Sequence, residues 1–292
     1  MDNYREEIKL IVSYYKNSIK QEKFKIFITL LKDYLLKLRV FVSLYLRFFK
    51  RTQKFTKDRY NRIWGVSDFI NDFDVKNKKN ILLHYYENLF FSSSSLTTKI
   101  QQFLIITKIK ELNPHSVLEV GCGSGITLKL LSDIYEKIQF YGIDQSEVGI
   151  DFAKKFNNKR LDSIFTEPLN FDFKYLSKTN TKLEVQDAKK LNFTNQSFDL
   201  VFTNLALEQM DNIKLEVLSE IKRVSNKYIV LIEPFKNLNR FGIRYLHHKS
   251  KQYFNLNHKD LQDDKFEILD FYHELPALLS LNYGMLVLKR KN

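Results

Sequence analysis

The sequence has few cysteines, glycines and prolines. Its one cysteine, Cys122, excludes an internal disulfide, and such sparse cysteine is typical of a reducing compartment, so we expect a cytoplasmic protein. The eight glycines and four prolines carry little functional information by their number alone. Apolar residues make up 44% of the 292 positions, which is enough to bury a sizeable core. We therefore expect a folded chain.

The N-terminal part lacks a long uncharged apolar run. Residues 24–50 place apolar side chains at helical spacing, yet the longest uncharged run among them covers only residues 40–46. A helix needs ~20 apolar residues to cross a bilayer, so we expect this helix not to span a membrane. The first residues are acidic and lack the pattern of a secretory signal.

Positive charge is concentrated in the same part of the chain. The net charge is +13, and residues 1–64 contain ten lysines and six arginines against six acidic residues. The rest is close to neutral, which argues against a nucleic acid lying across it. Two interpretations of the helix at 24–50 stay open. It lies on an anionic membrane surface at the inner membrane face, or it covers a neighbouring element or forms a homodimer contact.

One stretch combines an apolar run with three closely spaced glycines. Residues 117–131 predict a buried parallel strand, a tight turn and the beginning of a helix, and the turn contains Gly121, Gly123 and Gly125. Glycine permits positive φ and lets a ligand approach the backbone, while the helix N-terminus offers free N–H groups. Glu119, near the strand end, can receive a cationic group. The stretch therefore predicts a ligand-binding turn.

The glycine spacing distinguishes between ligands. The dinucleotide fingerprint has its third glycine one residue later, where this chain has Ile126. The pattern E-x-G-x-G-x-G at residues 119–125 instead resembles motif I of class I S-adenosylmethionine (SAM)-dependent methyltransferases. Three further predicted strands follow in the order which that family requires, at residues 139–143, 183–188 and 198–204.

This resemblance implies a fold and a set of cofactor contacts. The implied fold class is α/β, with a Rossmann-like seven-stranded sheet that is mostly parallel, a C-terminal antiparallel hairpin and an N-terminal helical extension. Asp144 follows the second strand, where an acid accepts ribose hydroxyls, and Asp187 would pair with the adenine amino group. Cys122 is interpreted as a small filler of the turn. The cofactor-binding residues implied for SAM are Glu119, Gly121, Cys122, Gly123, Gly125, Asp144, Gln145, Asp187, Ala188 and Asn204.

The chain divides into two predicted parts. Residues 1–112 form a basic, aromatic helical extension and cap, and residues 113–292 form the SAM-binding domain, with insertions at 157–182 and 235–260. Within the extension, helices are predicted at residues 81–91 and 96–112, joined by a flexible serine-rich stretch.

In the resembled family the segments before motif I fold over the donor. Tyr85 and Tyr86, on the first of these predicted helices, would then line the acceptor site, with simple packing as the alternative.

Missing motifs narrow the reaction. Asn204 is not followed by the Pro-Pro-aromatic sequence of base-amino methyltransferases, and Cys122 is the only thiol, so the Pro-Cys nucleophile of cytosine-C5 enzymes is absent. The pattern of carboxylates and histidines predicts no metal site. Histidine has a reference pKa of ~6.5, which suits proton removal near neutrality. The candidates for a catalytic acid or base are His247, His248, His258 and Glu208.

A looser resemblance concerns the acceptor. Residues 206–210 and 233–235 resemble small-molecule methyltransferases found with bacterial surface-polysaccharide synthesis. This implies O-methylation of a nucleotide- or lipid-linked sugar, in which Arg240 or Arg244 would meet a phosphate. Two alternatives stay open: an enzyme acting on RNA or protein, and a non-catalytic binding or membrane-recruitment module.

Overall fold

The computed structural model describes residues 2–17, 23–47, 52–65, 80–158, 161, 163–173 and 180–291. The helices are α1 (Asp2–Asn17), α2 (Lys23–Arg47), α3 (Gln53–Gly65), α4 (Ser95–Leu112), α5 (Ile126–Ile134), α6 (Glu147–Asn157), α7 (Ser163–Thr166), α8 (Lys214–Val224) and α9 (Gly242–Ser250). The strands are β1 (Asn80–Tyr85), β2 (Asn88–Ser93), β3 (Ser116–Val120), β4 (Gln139–Asp144), β5 (Thr181–Val185), β6 (Phe198–Asn204), β7 (Ser225–Glu233), β8 (Phe266–Tyr272), β9 (Ala277–Leu278) and β10 (Gly284–Arg290).

Seven strands form one sheet in the order β5-β4-β3-β6-β7-β10-β8. The first five in this order are parallel, while β10 runs antiparallel to both of its neighbours. Helices cover both faces, so the central strands are largely buried; in β6 only the last residue is not buried. The predicted mostly parallel sheet with a C-terminal antiparallel pair is confirmed.

The order of the strands reverses beside β3, whose neighbours are β4 and β6. Open α/β sheets bind ligands at such a point, outside the carboxyl ends of the strands. Two apolar cores hold this edge in place. One face packs Leu104 of α4 and Phe140 of β4, and the other packs Val201 of β6 and Ile221 of α8, all of them buried.

Residues 81–91 do not form the predicted helix. They belong to the antiparallel hairpin β1–β2, whose turn is at Tyr86 and Glu87, and β9 pairs with the free edge of β1. A short apolar run does not distinguish helix from strand, and here pairing with a distant segment decides. Ser92 and Ser93, predicted to lie in a flexible join, are buried in β2.

The prediction of a helix at residues 96–112 is confirmed by α4, which ends with Asn113 in the left-handed conformation before Pro114. The helix predicted at 24–50 is present as α2 up to Arg47 and packs against α9, while residues 48–50 lie outside the described residues. Among the described residues, no helix is both long enough and apolar enough to cross a bilayer. The segment 235–260 contains α9, and part of the segment 157–182 lies outside the described residues.

Candidate functional site

The turn after β3 requires glycine for conformation and for space. Gly121, Gly123 and Gly125 have φ of 82°, 51° and 69°, in the left-handed region. A Cβ on Gly121 would lie 2.5 Å from the Cβ of Ala206, so the turn contacts the loop after β6. The N–H groups of Gly121 and Cys122 both donate to the Ile143 carbonyl, at 2.8 and 3.0 Å. The turn is thereby fixed between β4 and β6.

Asp144 joins the end of β4 to this turn. Its carboxylate accepts hydrogen bonds from the Gly123 N–H at 3.0 Å and the Ser146 N–H at 2.8 Å. Burial raises the pKa of Asp144, and the backbone donors oppose that rise. The carboxylate lines a cavity beside the turn, where it can accept hydroxyl donors.

Two buried oxygen atoms facing the same cavity lack a partner. Among the described residues, Glu119 Oε2 and Asn204 Oδ1 have no hydrogen bond. Burial, and secondarily the nearby Asp144, raises the pKa of Glu119 well above its usual value. Unpartnered buried oxygens are costly unless a ligand supplies donors, so both atoms point to a ligand with cationic or N–H groups.

The cavity has a volume of about 310 Å³, within the range of small-molecule sites. Every predicted cofactor residue lines it except Gly125, which is the N-cap residue of α5. Asp187 is at its edge, with a side chain 59% exposed and paired with Lys189 at 3.4 Å. The lining residues predicted from the sequence are Glu119, Gly121, Cys122, Gly123, Asp144, Gln145, Asp187, Ala188, Asn204 and Glu208.

Cys122 is a buried part of this turn. A Cβ on Gly142 would lie 2.9 Å from its Sγ, so the thiol fills space against β4. Burial, and then the charges of Glu119 and Asp144, raises the pKa of the thiol well above its usual value. A neutral buried thiol is a poor nucleophile, which supports the interpretation of Cys122 as a filler.

Helix α3 forms the roof of the cavity, a role that the sequence analysis missed. Its residues Gln53, Thr56, Tyr60 and Trp64 line the cavity and lie on one helical face. A Cβ on Gly123 would lie 2.7 Å from the Trp64 ring, so the indole rests on the glycine turn. In the sequence, the i, i+4 spacing of Thr56, Tyr60 and Trp64 could have indicated that they share one helical face.

Side chains fasten α3 to the domain at three points. Ser146 Oγ donates to Asn61 Oδ1 at 2.6 Å, and Ser146 also caps the N-terminus of α6 through the Gly149 N–H. Lys57 pairs with Glu147 at 3.1 Å. At the other end Gln53 Nε2 donates to Asn212 Oδ1 at 2.9 Å. The roof is therefore held on both sides of the cavity.

A buried carboxylate fixes the loop after β6. Glu233, at the end of β7, accepts hydrogen bonds from the Thr203 hydroxyl at 2.8 Å and from the N–H groups of Ala206, Leu207 and Glu208 at 3.0–3.1 Å. Burial, and then the charge of Glu208, raises the pKa of Glu233 to about 8. This loop carries Glu208 into the cavity wall.

Glu208 is the one predicted catalytic residue that lines the cavity. It is buried, and Gln209 Nε2 donates to its Oε1. The side chain therefore has a fixed position beside Asn204 and the glycine turn.

The three candidate histidines lie elsewhere. His247 and His248 are buried in α9, where both rings contact Tyr253 and His248 Nε2 lies 3.1 Å from the Pro234 carbonyl. His258 stacks on Phe271 with ring centroids 3.9 Å apart. Burial lowers the pKa of His248 and of His258. Packing, rather than proton transfer at the cavity, accounts for all three positions.

The other predicted acceptor residues are also outside the cavity lining. Arg240 donates to Asn257, and Arg244 donates to the Leu279 carbonyl. Tyr85 and Tyr86 lie at the end of the β1–β2 hairpin, where the Tyr86 hydroxyl donates to Glu274 Oε2 at 2.8 Å. The hairpin holds both tyrosines away from the turn.

Comparison with known proteins identifies the domain. Residues 118–228 match a family model described as a methyltransferase domain, and they run from β3 into β7 and include every cavity-lining residue outside α3. This part of the chain is a class I methyltransferase domain. SAM is the methyl donor of this class. The site fits that cofactor for two reasons. The turn has no room for a Cβ at Gly121 or Gly123, so the backbone is open to a ligand, and an unpartnered Glu119 oxygen faces the cavity.

One curated relative is a malonyl-[acyl-carrier protein] O-methyltransferase of Legionella pneumophila, 28% identical over 116 residues. The match covers 40% of this chain and 34% of the relative, so the chain spans about a third of that relative's length.

Two solved structures are similar to this chain to different degrees. Magnesium protoporphyrin IX methyltransferase of Synechocystis, crystallised with bound S-adenosylhomocysteine, superposes with a TM-score of 0.53 at 13% identity, covering 82% of this chain and all of that one. A SAM-dependent methyltransferase of Methanosarcina mazei gives a TM-score of 0.47 at 22% identity, covering 60% of this chain and 92% of that one.

Proposed function

We propose that this chain transfers a methyl group from SAM to an oxygen atom of a small or glycan-type acceptor, such as a nucleotide- or lipid-linked sugar. The observation that carries the proposal is the buried Glu208 carboxylate in the wall of the donor cavity, on a loop whose backbone N–H groups donate to Glu233. A carboxylate at that position suits an acceptor that must lose a hydroxyl proton. The reducing setting favoured by the single cysteine points to the cytoplasm.

The chain's residues divide the work of donor binding. Glu119 would receive the cationic amino group of SAM, Asp144 would accept its ribose hydroxyls, and Asp187 with Ala188 would border the adenine. The glycine turn lets the ligand approach the backbone. When bound, SAM supplies a methyl group already activated by a sulfonium, so the protein's main tasks are alignment and exclusion of water.

Glu208 would act on the acceptor side. It would accept the acceptor's hydroxyl proton while the acceptor oxygen bonds to the methyl carbon and that carbon's bond to sulfur breaks. Tyr60 and Trp64 on the roof would shield this step from water. The roof over a cavity of about 310 Å³ favours an acceptor small enough to enter beside α3 over a large macromolecular surface.

The experiment has two stages. Calorimetry with SAM and with S-adenosylhomocysteine should show that both bind the purified chain. Labelled SAM is then offered with nucleotide sugars, lipid-linked glycans, RNA and protein, and Glu208→Gln is compared with wild type. We expect transfer to a small acceptor and a fall in kcat of roughly 100-fold or more in the variant, with donor affinity retained.

Other outcomes would redirect the proposal. Label found only in RNA or protein would favour the macromolecular alternative, and donor binding without any transfer would favour a binding module. Wild-type turnover in Glu208→Gln would remove this carboxylate from the mechanism.

A further inference from the structure

Helix α2 presents a stripe of exposed apolar side chains. They recur at helical spacing along one side, and between 40% and 60% of each is exposed. The members of this apolar stripe are Phe27, Leu31, Tyr34, Leu35, Leu38 and Val42. Single exposed apolar residues are ordinary on protein surfaces, but a continuous stripe marks a surface that meets a partner.

Packing within the chain involves mainly the first part of the helix. α2 packs against α9, and Ile26, Ile28 and Leu30 are partly buried, whereas Leu36, on the side opposite the stripe, is 56% exposed. The interpretation of α2 as a cover helix therefore explains only the beginning of the helix. The apolar stripe stays exposed when the domain is folded.

Basic residues accompany the stripe. Lys32 and Arg39 are exposed and lie three residues before and four residues after Leu35, which makes them its neighbours on the helix surface. Over its whole length α2 has six basic residues and one acidic residue, Asp33. Exposed apolar residues bordered by positive charge are the features of helices that lie in the headgroup region of anionic membranes.

We propose that α2 docks on the surface of an anionic lipid bilayer through the apolar stripe, with Lys32 and Arg39 contacting lipid phosphates. A second copy of the chain is a poorer occupant, because a symmetric contact would bring two strongly basic helices together. An anionic bilayer supplies the opposite charge, and each basic residue near it adds to binding. Docking does not depend on the proposed methyl transfer.

The position of α2 in the chain gives docking a consequence. α2 ends at Arg47, and the roof helix α3 begins at Gln53. With only residues 48–52 between them, the beginning of α3 stays within about 20 Å of the end of α2. Docking of α2 would therefore keep the segment that covers the cavity near the bilayer.

The test is co-sedimentation of the full chain with vesicles of phosphatidylcholine, with and without phosphatidylglycerol. We expect binding to the anionic vesicles that weakens with added salt. Two variants address the two components: Phe27→Asp/Leu31→Asp/Leu35→Asp for the apolar stripe, and Lys32→Glu/Arg39→Glu for the charge. Each should weaken vesicle binding roughly tenfold or more.

A matched control places the same charge on apolar residues elsewhere. Leu215 on α8 and Leu269 on β8 are 68% and 51% exposed, and Leu215→Asp/Leu269→Asp should bind vesicles like wild type. Calorimetry with SAM on every variant tests the fold separately, and donor affinity should be unchanged.

Three results would overturn the proposal. The first is absence of binding to anionic vesicles by the wild-type chain. The second is equal binding by the wild type and the apolar-stripe variant. The third is that the wild-type chain forms a dimer and does not bind vesicles, while the apolar-stripe variant is a monomer. That result would mean that the stripe contacts a second copy of the chain.

Discussion

The floor and the roof of the cavity are built in different ways. The floor consists of the turns after β3, β4 and β6, whose residues follow buried strands and are fixed by backbone hydrogen bonds. The roof is α3, more than fifty residues earlier in the chain, and side-chain contacts alone hold it in the structure described. Local sequence therefore specifies the floor, whereas the roof depends on tertiary contacts. Substitutions in the floor and in the roof should therefore have effects that differ in magnitude and in kind.

The largest effect is expected for Gly121→Ala. The residue has φ of 82°, and its new Cβ would lie 2.5 Å from the Ala206 Cβ. Strain and overlap together should lower the free energy of unfolding by about 2–4 kcal/mol and abolish SAM binding. Gly242→Ala is the control, since Gly242 has φ of 60° but no atom within 4 Å of a Cβ. Thermal unfolding and calorimetry should separate the two variants, and equal losses would contradict the role of overlap.

Glu233→Gln should loosen the loop that carries Glu208. The new amide nitrogen would face a backbone N–H and could not accept its hydrogen bond. We expect the free energy of unfolding to fall by about 2–3 kcal/mol and kcat to fall more than the affinity for SAM. Burial raises the pKa of Glu233 to about 8, so the folded chain keeps a proton that the unfolded chain releases near its ordinary value of ~4.3.

Wild-type stability should therefore fall as the pH rises between these two values. The variant should show a shallower fall, because Glu119, whose pKa is also raised, still contributes. Thermal unfolding across this pH range checks the prediction. An unchanged slope in the variant would exclude Glu233 as a source of the pH dependence.

Asp144→Ala should weaken SAM binding by about 1–3 kcal/mol, because ribose hydroxyls lose their acceptor. Asp144→Asn tests the charge separately, since the amide oxygen can still accept from the Gly123 N–H. Calorimetry at constant pH measures both variants. Wild-type affinity in Asp144→Ala would mean that the donor's ribose lies elsewhere.

On the roof, Trp64→Ala should have a smaller effect. It removes the indole that rests on Gly123, and we expect donor affinity to fall by about 1–2 kcal/mol while the fold is retained. Ile63→Ala, one residue earlier and not in the cavity lining, should leave the affinity unchanged. A loss as large as that of Gly121→Ala would show that the roof is as rigid as the floor.

The smallest effects are expected for the histidines. His247→Ala, His248→Ala and His258→Ala lie outside the cavity lining, so SAM affinity should stay at the wild-type value in all three. Turnover per folded molecule should also persist. A selective loss of kcat in any one of them, with its fold intact by circular dichroism, would return histidine to the catalytic mechanism.

The sequence was sufficient for the sheet and the floor because those signals are local. The glycine turn follows the short strand β3, and Asp144 is the last residue of the short strand β4. Both strands can be recognised in the sequence by their apolar residues. Residues 81–91 were misassigned because β1 is completed by β9, almost two hundred residues later. The same limit applies to Glu233, whose importance depends on three backbone N–H groups that fold beneath it.

Histidine chemistry suggested a catalytic role that burial in α9 and stacking on Phe271 do not favour. The residue type alone did not indicate whether these side chains face the cavity. The roof residues of α3 were overlooked for a related reason. In the sequence Tyr60 and Trp64 do not differ from other aromatic residues, and only the folded structure places Trp64 on the glycine turn.

The two-residue strand β9 links the β1–β2 hairpin to the C-terminal part of the described chain. It pairs with β1 at Leu83 and His84, and Leu83 is fully buried in the same core as Met285 of β10. Unfolding the hairpin would therefore expose apolar surface that the large sheet also uses. We expect the hairpin and the large sheet to unfold in a single cooperative transition, and a chain beginning at residue 113 to be less stable and prone to aggregate through the bare edge of β9.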